Sequence, residues 1–236
     1  MGTGADGPVL VLACADGAGS AEFGLEGARM ACARVAELAA EMVAEGAGVR
    51  QMDDGMLPYW MEQAAETISV QAGIAGRRSR DYACTLLVAV IDDYGAAFAQ
   101  VGDGAIVVGG PHGYAPVFWP QSGQYANTTY FITDPPDSRS VCSEVRAPAP
   151  DEAALFTDGL QSLALRFADR AAHDPFFGLF FPPLRAQPAG EADRLRLELE
   201  AFLSSEPVNQ RTDDDKTLVI ATRAREQGGG GAPPAP

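Results

Sequence analysis

Three acidic motifs stand at the edges of apolar runs in this chain: Asp16-Gly17 in CADGAGS, Asp158-Gly159 in ALFTDGL, and Asp213-Asp214-Asp215 in RTDDDKTLVI. Each places a carboxylate at the tip of a segment that reads as a strand. Ionised carboxylates at the end of a packed strand are costly to dehydrate unless a cation or hydrogen-bond donors compensate them. A shared metal site would compensate all three. Aspartates with a backbone carbonyl and waters make a hard oxygen cage of the kind that Mg²⁺ or Mn²⁺ prefers, while the softer ligands that select zinc are scarce. Taken alone, the run 213–215 reads equally well as a polar turn before a strand.

The elements that must position these carboxylates follow from the apolar pattern. Residues 8–15 (PVLVLACA) form a dense apolar run that suits a buried strand, ending in the Asp-Gly-Ala-Gly turn. Over 21–46, Leu25, Ala28, Met30, Cys32, Val35, Leu38, Met42 and Val43 recur at mostly helical spacing, and Gly46 closes the segment. A second helix is expected over 57–74, with Pro58 tolerated in its first turn. Then comes a β region: 85–91, 96–101 and 105–108, separated by Asp92-Asp93-Tyr94-Gly95 and Gly102-Asp103-Gly104, which read as hairpin turns. Residues 114–119 add another strand, 121–138 is rich in turn formers, and 153–157 is a strand leading into Asp158-Gly159 and a helix from about Leu160. The remainder reads as mostly helical, with leucines at helical spacing over 192–204 and a last strand over 216–222. Phe176, Phe177, Phe180 and Phe181 are too dense for a surface and are expected to fill a core or cover a sheet edge.

Composition narrows the partners. The chain has 236 residues and is 47% hydrophobic, enough for one good core, and one domain over 1–226 is expected at this length. Residues 227–236 are Gly and Pro with little apolar content, which predicts a disordered tail. Lys+Arg of 17 against Asp+Glu of 32 leaves a net charge of −15, which repels phosphate backbones and anionic lipid headgroups, so neither nucleic acid nor membrane is an expected partner. The four cysteines, Cys14, Cys32, Cys84 and Cys142, show no metal-type spacing and read as reduced and structural. With no export signal and no apolar run near 20 residues, the cytoplasm is the expected compartment.

CADGAGSAEFGLEGA, CTLLVAVIDDYGAAFAQVGDGAIVV, ALFTDGLQSLAL and DDDKTLVIA, in this order and at these separations, closely resemble the metal-dependent serine/threonine phosphatases of protein phosphatase type 2C. NTTYFITD and HDPFF resemble the bacterial branch. One Asp-Gly turn is a weak signal; four motifs in matching strand and helix context are strong. The resemblance implies an α+β fold, a four-layer αββα sandwich of two antiparallel sheets flanked by helices, with two Mn²⁺ or Mg²⁺ ions at one end and a position for a third. It implies that Asp16 bridges the two ions, that the Gly17 carbonyl binds one of them, and that Asp158 and Asp214 bind the other. Asp103 matches the acidic position that helps to hold an additional ion. Asp215 stands where the family often has Asn, and Thr217 closes the pattern. The implied reaction is hydrolysis of phosphoserine and phosphothreonine in proteins by a metal-activated water, and the implied partner is a phosphoprotein modified by a serine/threonine kinase.

Two departures from the family pattern stand out. Its first strand carries a phosphate-gripping Arg and a metal-binding acidic residue, whereas only MGTGADG precedes Pro8 here. Either the start lies upstream, or those groups are absent and the sheet is a strand short, with an exposed edge. Some relatives also have a His two residues after the bridging Asp, where this chain has Ala18. His112 and His173 read as loop or capping residues rather than as its substitutes. Arg77, Arg78 and Arg80 read as a solvated loop, and Asp92 and Asp93 as turn residues. Alternative readings are a pseudophosphatase, a regulatory module that binds phosphoprotein without hydrolysing it, and an unrelated acidic α+β domain.

Overall fold

The computed structural model describes residues 2–4, 7–122, 129–188 and 193–223. The Gly/Pro tail at 227–236 and residues 123–128, which include the first two residues of NTTYFITD, lie outside them. The chain runs β1 (Gly2–Gly4), β2 (Gly7–Cys14), α1 (Gly24–Ala44), α2 (Met56–Ile74), β3 (Leu86–Ile91), β4 (Ala96–Val101), β5 (Ala105–Gly110) and β6 (Gly113–Pro116). There follow β7 (Cys142–Arg146), β8 (Glu152–Phe156), α3 (Gln161–Ala164), β9 (Leu165–Arg166), β10 (Ala171–Ala172), α4 (Asp174–Phe177), α5 (Phe181–Arg185), α6 (Asp193–Leu203), α7 (Glu206–Asn209) and β11 (Leu218–Thr222).

Two sheets carry the fold, one ordered β1-β2-β3-β4-β7 and the other β11-β8-β5-β6, with every pairing antiparallel. The central strands β3, β4 and β8 are buried at every position because both of their faces are covered. In β3, Leu86, Val88 and Val90 face α1 and α2, while Leu87, Ala89 and Ile91 face the other sheet. In β8, Leu155 and Ala153 point to the space between the sheets, and Ala154 and Phe156 point to the helices of the far side. The expected four layers are therefore present. Phe98 fills the space between the sheets with no exposure. Truncating such a side chain costs about 3–5 kcal/mol.

On one outer face, α1 buries Ala28, Ala31, Val35, Leu38 and Met42 at helical spacing. Leu25, expected on that face, is 60% exposed, because the chain is still turning into the helix where Gly24 lies against Gly17. On the other face, Phe176, Phe177 and Phe181 are buried and Phe180 half-buried, as their density predicts. The helix expected from Leu160 is a 3-10 turn and the single turn of α3. It stops there because Leu165 enters the β9–β10 hairpin opposite Ala172.

Ahead of β2, β1 pairs Gly2 with Val9, so β2 is not the outermost strand of its sheet. The turn reading of Asp92 holds in a stronger form. This buried carboxylate accepts from the amides of Val49 (2.7 Å), Tyr94 (2.8 Å) and Gly95 (3.0 Å), and so ties the loop after α1 to the β3–β4 hairpin. Asp93 pairs with Arg223.

Candidate metal centre

Each candidate carboxylate sits at the same end of the sandwich, held by a separate strand junction. The Asp16 amide donates to Thr85 Oγ1 at 3.0 Å and its carbonyl accepts from the Thr85 amide at 2.8 Å, which locks the end of β2 to the start of β3. Gly17 continues this contact as an isolated bridge to Cys84. A Cβ on Gly17 would lie 2.3 Å from the Gly24 carbonyl carbon, so only glycine lets this loop rest on the first turn of α1.

Across the sheets, Thr157 and Thr217 join the end of β8 to the start of β11. The Thr217 amide donates to Thr157 Oγ1 at 3.1 Å, and the Thr157 amide donates to the Thr217 carbonyl at 3.2 Å. That clasp sets Asp158 beside the segment carrying Asp214. A Cβ on Gly159 would stand 2.2 Å from the Asp215 carbonyl oxygen and 3.4 Å from the Asp214 Cβ. The Asp103 turn is held by Gln161, whose Nε2 donates to the Asp103 carbonyl at 2.6 Å. It is also held by buried Gln100, which donates to the Gly102 and Gly104 carbonyls at 3.2 and 3.0 Å. Thr85, Thr157, Gln100 and Gln161 were not singled out in the sequence. The signal was available for Thr157, a polar residue closing the apolar run ALF beside an Asp.

The electrostatics show how near these groups come. Burial, then repulsion from Asp158, Asp214, Asp103 and Asp215 in that order, pushes the Asp16 carboxyl up to about 7. Burial followed by Asp103 and Asp214 raises Asp158 to about 6. Asp103 is raised as well, first by burial, against hydrogen bonds from its own backbone and Thr129. Among the described residues none of Asp16, Asp103, Asp158 and Asp214 has an ion-pair partner, and Asp158 Oδ1 is buried with no hydrogen bond. No three carboxylate, thiol or imidazole groups among the described residues converge tightly on one point. An all-oxygen anionic donor set with a buried, unpartnered carboxylate oxygen and no ion pair to its carboxylates among the described residues fits a hard divalent ion.

The remaining candidates lie elsewhere or carry other contacts. His173 sits at the start of α4, its Nδ1 3.0 Å from the Leu163 carbonyl, and His112 lies in the β5–β6 turn. Arg77 pairs with Glu22 at 3.3 Å and lies over Phe23, and Arg78 pairs with Asp81 at 2.7 Å, as a solvated loop predicts. All four cysteines are free. Burial pushes the Cys14 thiol up to about 12 and Cys32 to about 11, so these thiols stay protonated and cannot serve as thiolate nucleophiles.

Comparison with known proteins shows the family of the chain. The family described as Protein phosphatase 2C matches residues 2–204. Serine/threonine-protein phosphatase 3 of Escherichia coli (strain K12) is 37% identical over 214 residues, which is 91% of this chain and 84% of that protein. Among solved structures, the serine/threonine phosphatase Stp1 from Staphylococcus aureus superposes with a TM-score of 0.60 at 14% identity, covering 94% of this chain and 87% of that one. The catalytic domain of the serine threonine protein phosphatase PstP, solved with 2 manganese ions, gives a TM-score of 0.57 at 14% identity, covering 91% and 86%. At these identities the structural likeness speaks for the fold alone.

Proposed function

Since the chain belongs to the protein phosphatase 2C family and is a serine/threonine-protein phosphatase, we propose that it hydrolyses phosphoserine and phosphothreonine in proteins at a centre of two divalent cations, Mn²⁺ or Mg²⁺. Asp16 would bridge the two ions with the Gly17 carbonyl on one of them, Asp158 and Asp214 would hold the other, and Asp103 would hold a third. Such ions, when bound, neutralise phosphate charge and acidify water at neutral pH. The observation that carries the reading is the gathering of four aspartates at one end of the sandwich with no carboxylate of the four ion-paired among the described residues, Asp158 Oδ1 being buried and unpartnered.

The protein's own share of the work is placement. The Thr85, Thr157–Thr217 and Gln161 contacts fix four carboxylates contributed by five strands, and a centre held on strand ends is rigid enough to orient an incoming phosphate. No covalent phosphoenzyme enters the scheme. Burial keeps the Cys14 thiol protonated, and His173 Nδ1 is engaged with the Leu163 carbonyl. Ala18 has no proton to donate, so the departing serine or threonine alkoxide takes its proton from water or from another group at the site. The phosphoprotein substrate is the product of a serine/threonine kinase, and the reading places the chain in the cytoplasm, where four free cysteines stay reduced. Among the described residues no helix is long and apolar enough to cross a membrane. Binding without turnover finds no support in the E. coli relative, which is named a phosphatase.

The test is phosphate release from a phosphothreonine peptide with Mn²⁺, with chelator, and with Asp158→Asn. Turnover that needs the metal and falls at least about 10²-fold in the variant is expected. Turnover that persists in chelator and in Asp158→Asn would overturn the proposal.

A further inference from the structure

Beside the aspartates, α6 and the approach to β11 enclose a cleft of about 380 Å³. Its floor is leucine, with Leu199 and Leu203 from α6 and Leu218 from β11. Charges stand around it: Arg196 and Glu200 on the helix, Asp215 and Lys216 on the loop. The loop follows directly on Asp214, and Lys216 Nζ donates to the Asp214 carbonyl at 3.2 Å. The segment 215–218 that lines the cleft therefore continues directly from Asp214.

The surrounding charges are balanced locally. Arg196 reaches Glu200 at 3.6 Å, and Lys216 sits on a carbonyl next to Asp215. Two cations interleaved with two anions give no net attraction for a charged guest, since each favourable contact comes with a repulsive one. The leucine surface is different: Phe202 turns to the phenylalanine core, 5.3 Å from Phe180, while Leu199, Leu203 and Leu218 are only partly buried and leave apolar surface along the cleft. Apolar surface left open in a concave site is what a ligand's apolar group covers.

We propose that this cleft receives an apolar side chain of the phosphoprotein substrate, from a residue flanking the phosphoserine or phosphothreonine, and so selects among substrates. The inference rests on Asp214 belonging to the reacting centre, as set out above. The cleft has room for one large aliphatic or aromatic side chain. In a hydrophobic pocket even one methylene is worth about tenfold or more in discrimination. Lys216 is the only lysine of the chain, so acylation at this position reports on the cleft directly.

The experiment uses phosphothreonine peptides with Leu, Ala or Glu at each of the positions flanking the phosphoresidue. Each kcat/KM is referred to that for para-nitrophenyl phosphate, which is too short to reach the cleft. Leu at one position should raise this ratio about tenfold over Ala and over Glu, Leu199→Glu should abolish the gain, and the Leu peptide alone should slow acylation of Lys216 as located by mass spectrometry. A flat series, or a preference that survives Leu199→Glu, overturns the inference while leaving the phosphatase centre intact. If para-nitrophenyl phosphate turnover is indifferent to Asp214→Asn, the reading of the centre fails and this inference fails with it.

Discussion

Gly159→Ala is the substitution from which most can be learned, because it adds one methyl group where β8 and β11 deliver their carboxylates. The new Cβ would stand 2.2 Å from the Asp215 carbonyl oxygen, about 1 Å short of an ordinary C···O contact of ~3.3 Å. The oxygen belongs to the backbone and also accepts from Thr157 Oγ1 at 3.5 Å, so no flexible side chain can give way. Relief must come from separating Asp158 from the segment 214–215 by about that distance. Misplacing a reacting constellation by about 1 Å costs about 10²-fold in rate, or about 2.7 kcal/mol of barrier, and overpacking costs about 1–3 kcal/mol of stability. Initial rates on a phosphothreonine peptide, with thermal unfolding of the same samples, measure both. Gly19→Ala is the control, since its Cβ would meet nothing within 4 Å; it should stay within about twofold of the parent, a barrier change of ~0.4 kcal/mol. If folded Gly159→Ala matches the Gly19→Ala rate, the close approach of β8 and β11 does not position the chemistry.

Three other outcomes test the fold and its charges. Asp92→Ala removes the acceptor for three amides in a buried turn, and denaturant unfolding should show a loss of about 2–4 kcal/mol; a loss below about 0.5 kcal/mol, the range of neutral surface changes, would refute the anchoring role. In chelator, the raised Asp16 and Asp158 carboxyls mean that the folded state binds protons more tightly than the unfolded one, so stability should fall as pH rises from about 4 through about 7. Asp16→Asn should flatten that fall, and an equally steep fall in the variant would contradict the electrostatic reading. Arg185→Met strips the partner from Glu152, which is only 4% exposed, and should destabilise by about 2 kcal/mol. Arg194→Ala removes only an exposed helix-surface pair with Glu198 and should change stability by less than about 0.5 kcal/mol; equal effects by chemical denaturation would show that the burial of Glu152 does not matter.

The strands most legible in the sequence are those whose both faces are covered, although the half-buried β2 and β11 were legible too. LLVAVI in β3 and AAFAQV in β4 stand out because every position is buried, and the Asp-Gly motifs mark where they end. β7 escaped because CSEVR is half-exposed and alternates with polar residues between turn formers and prolines; it becomes a strand only through pairing with β4, Ala96 opposite Arg146. The helix after Leu160 was read too long for a similar reason, since Leu165 is claimed by a hairpin that local periodicity does not announce. Asp16, Asp158 and Asp214 were readable as candidates from their strand-end context and family order, and Asp103 from family order alone. Their supports were not, because Thr85 meets Asp16 across 69 residues and Gln161 meets Asp103 across 58, and such pairs exist only once the sheets are stacked.

The most direct test of the account is equilibrium Mn²⁺ binding by calorimetry to the intact chain and to two single variants. The account predicts about two ions per chain at a two-metal site, both lost in Asp16→Asn and both retained in Asp103→Asn. A chain that binds no Mn²⁺, or whose binding is the same with and without the Asp16 carboxylate, would contradict the claim that these strand-end aspartates form one metal centre.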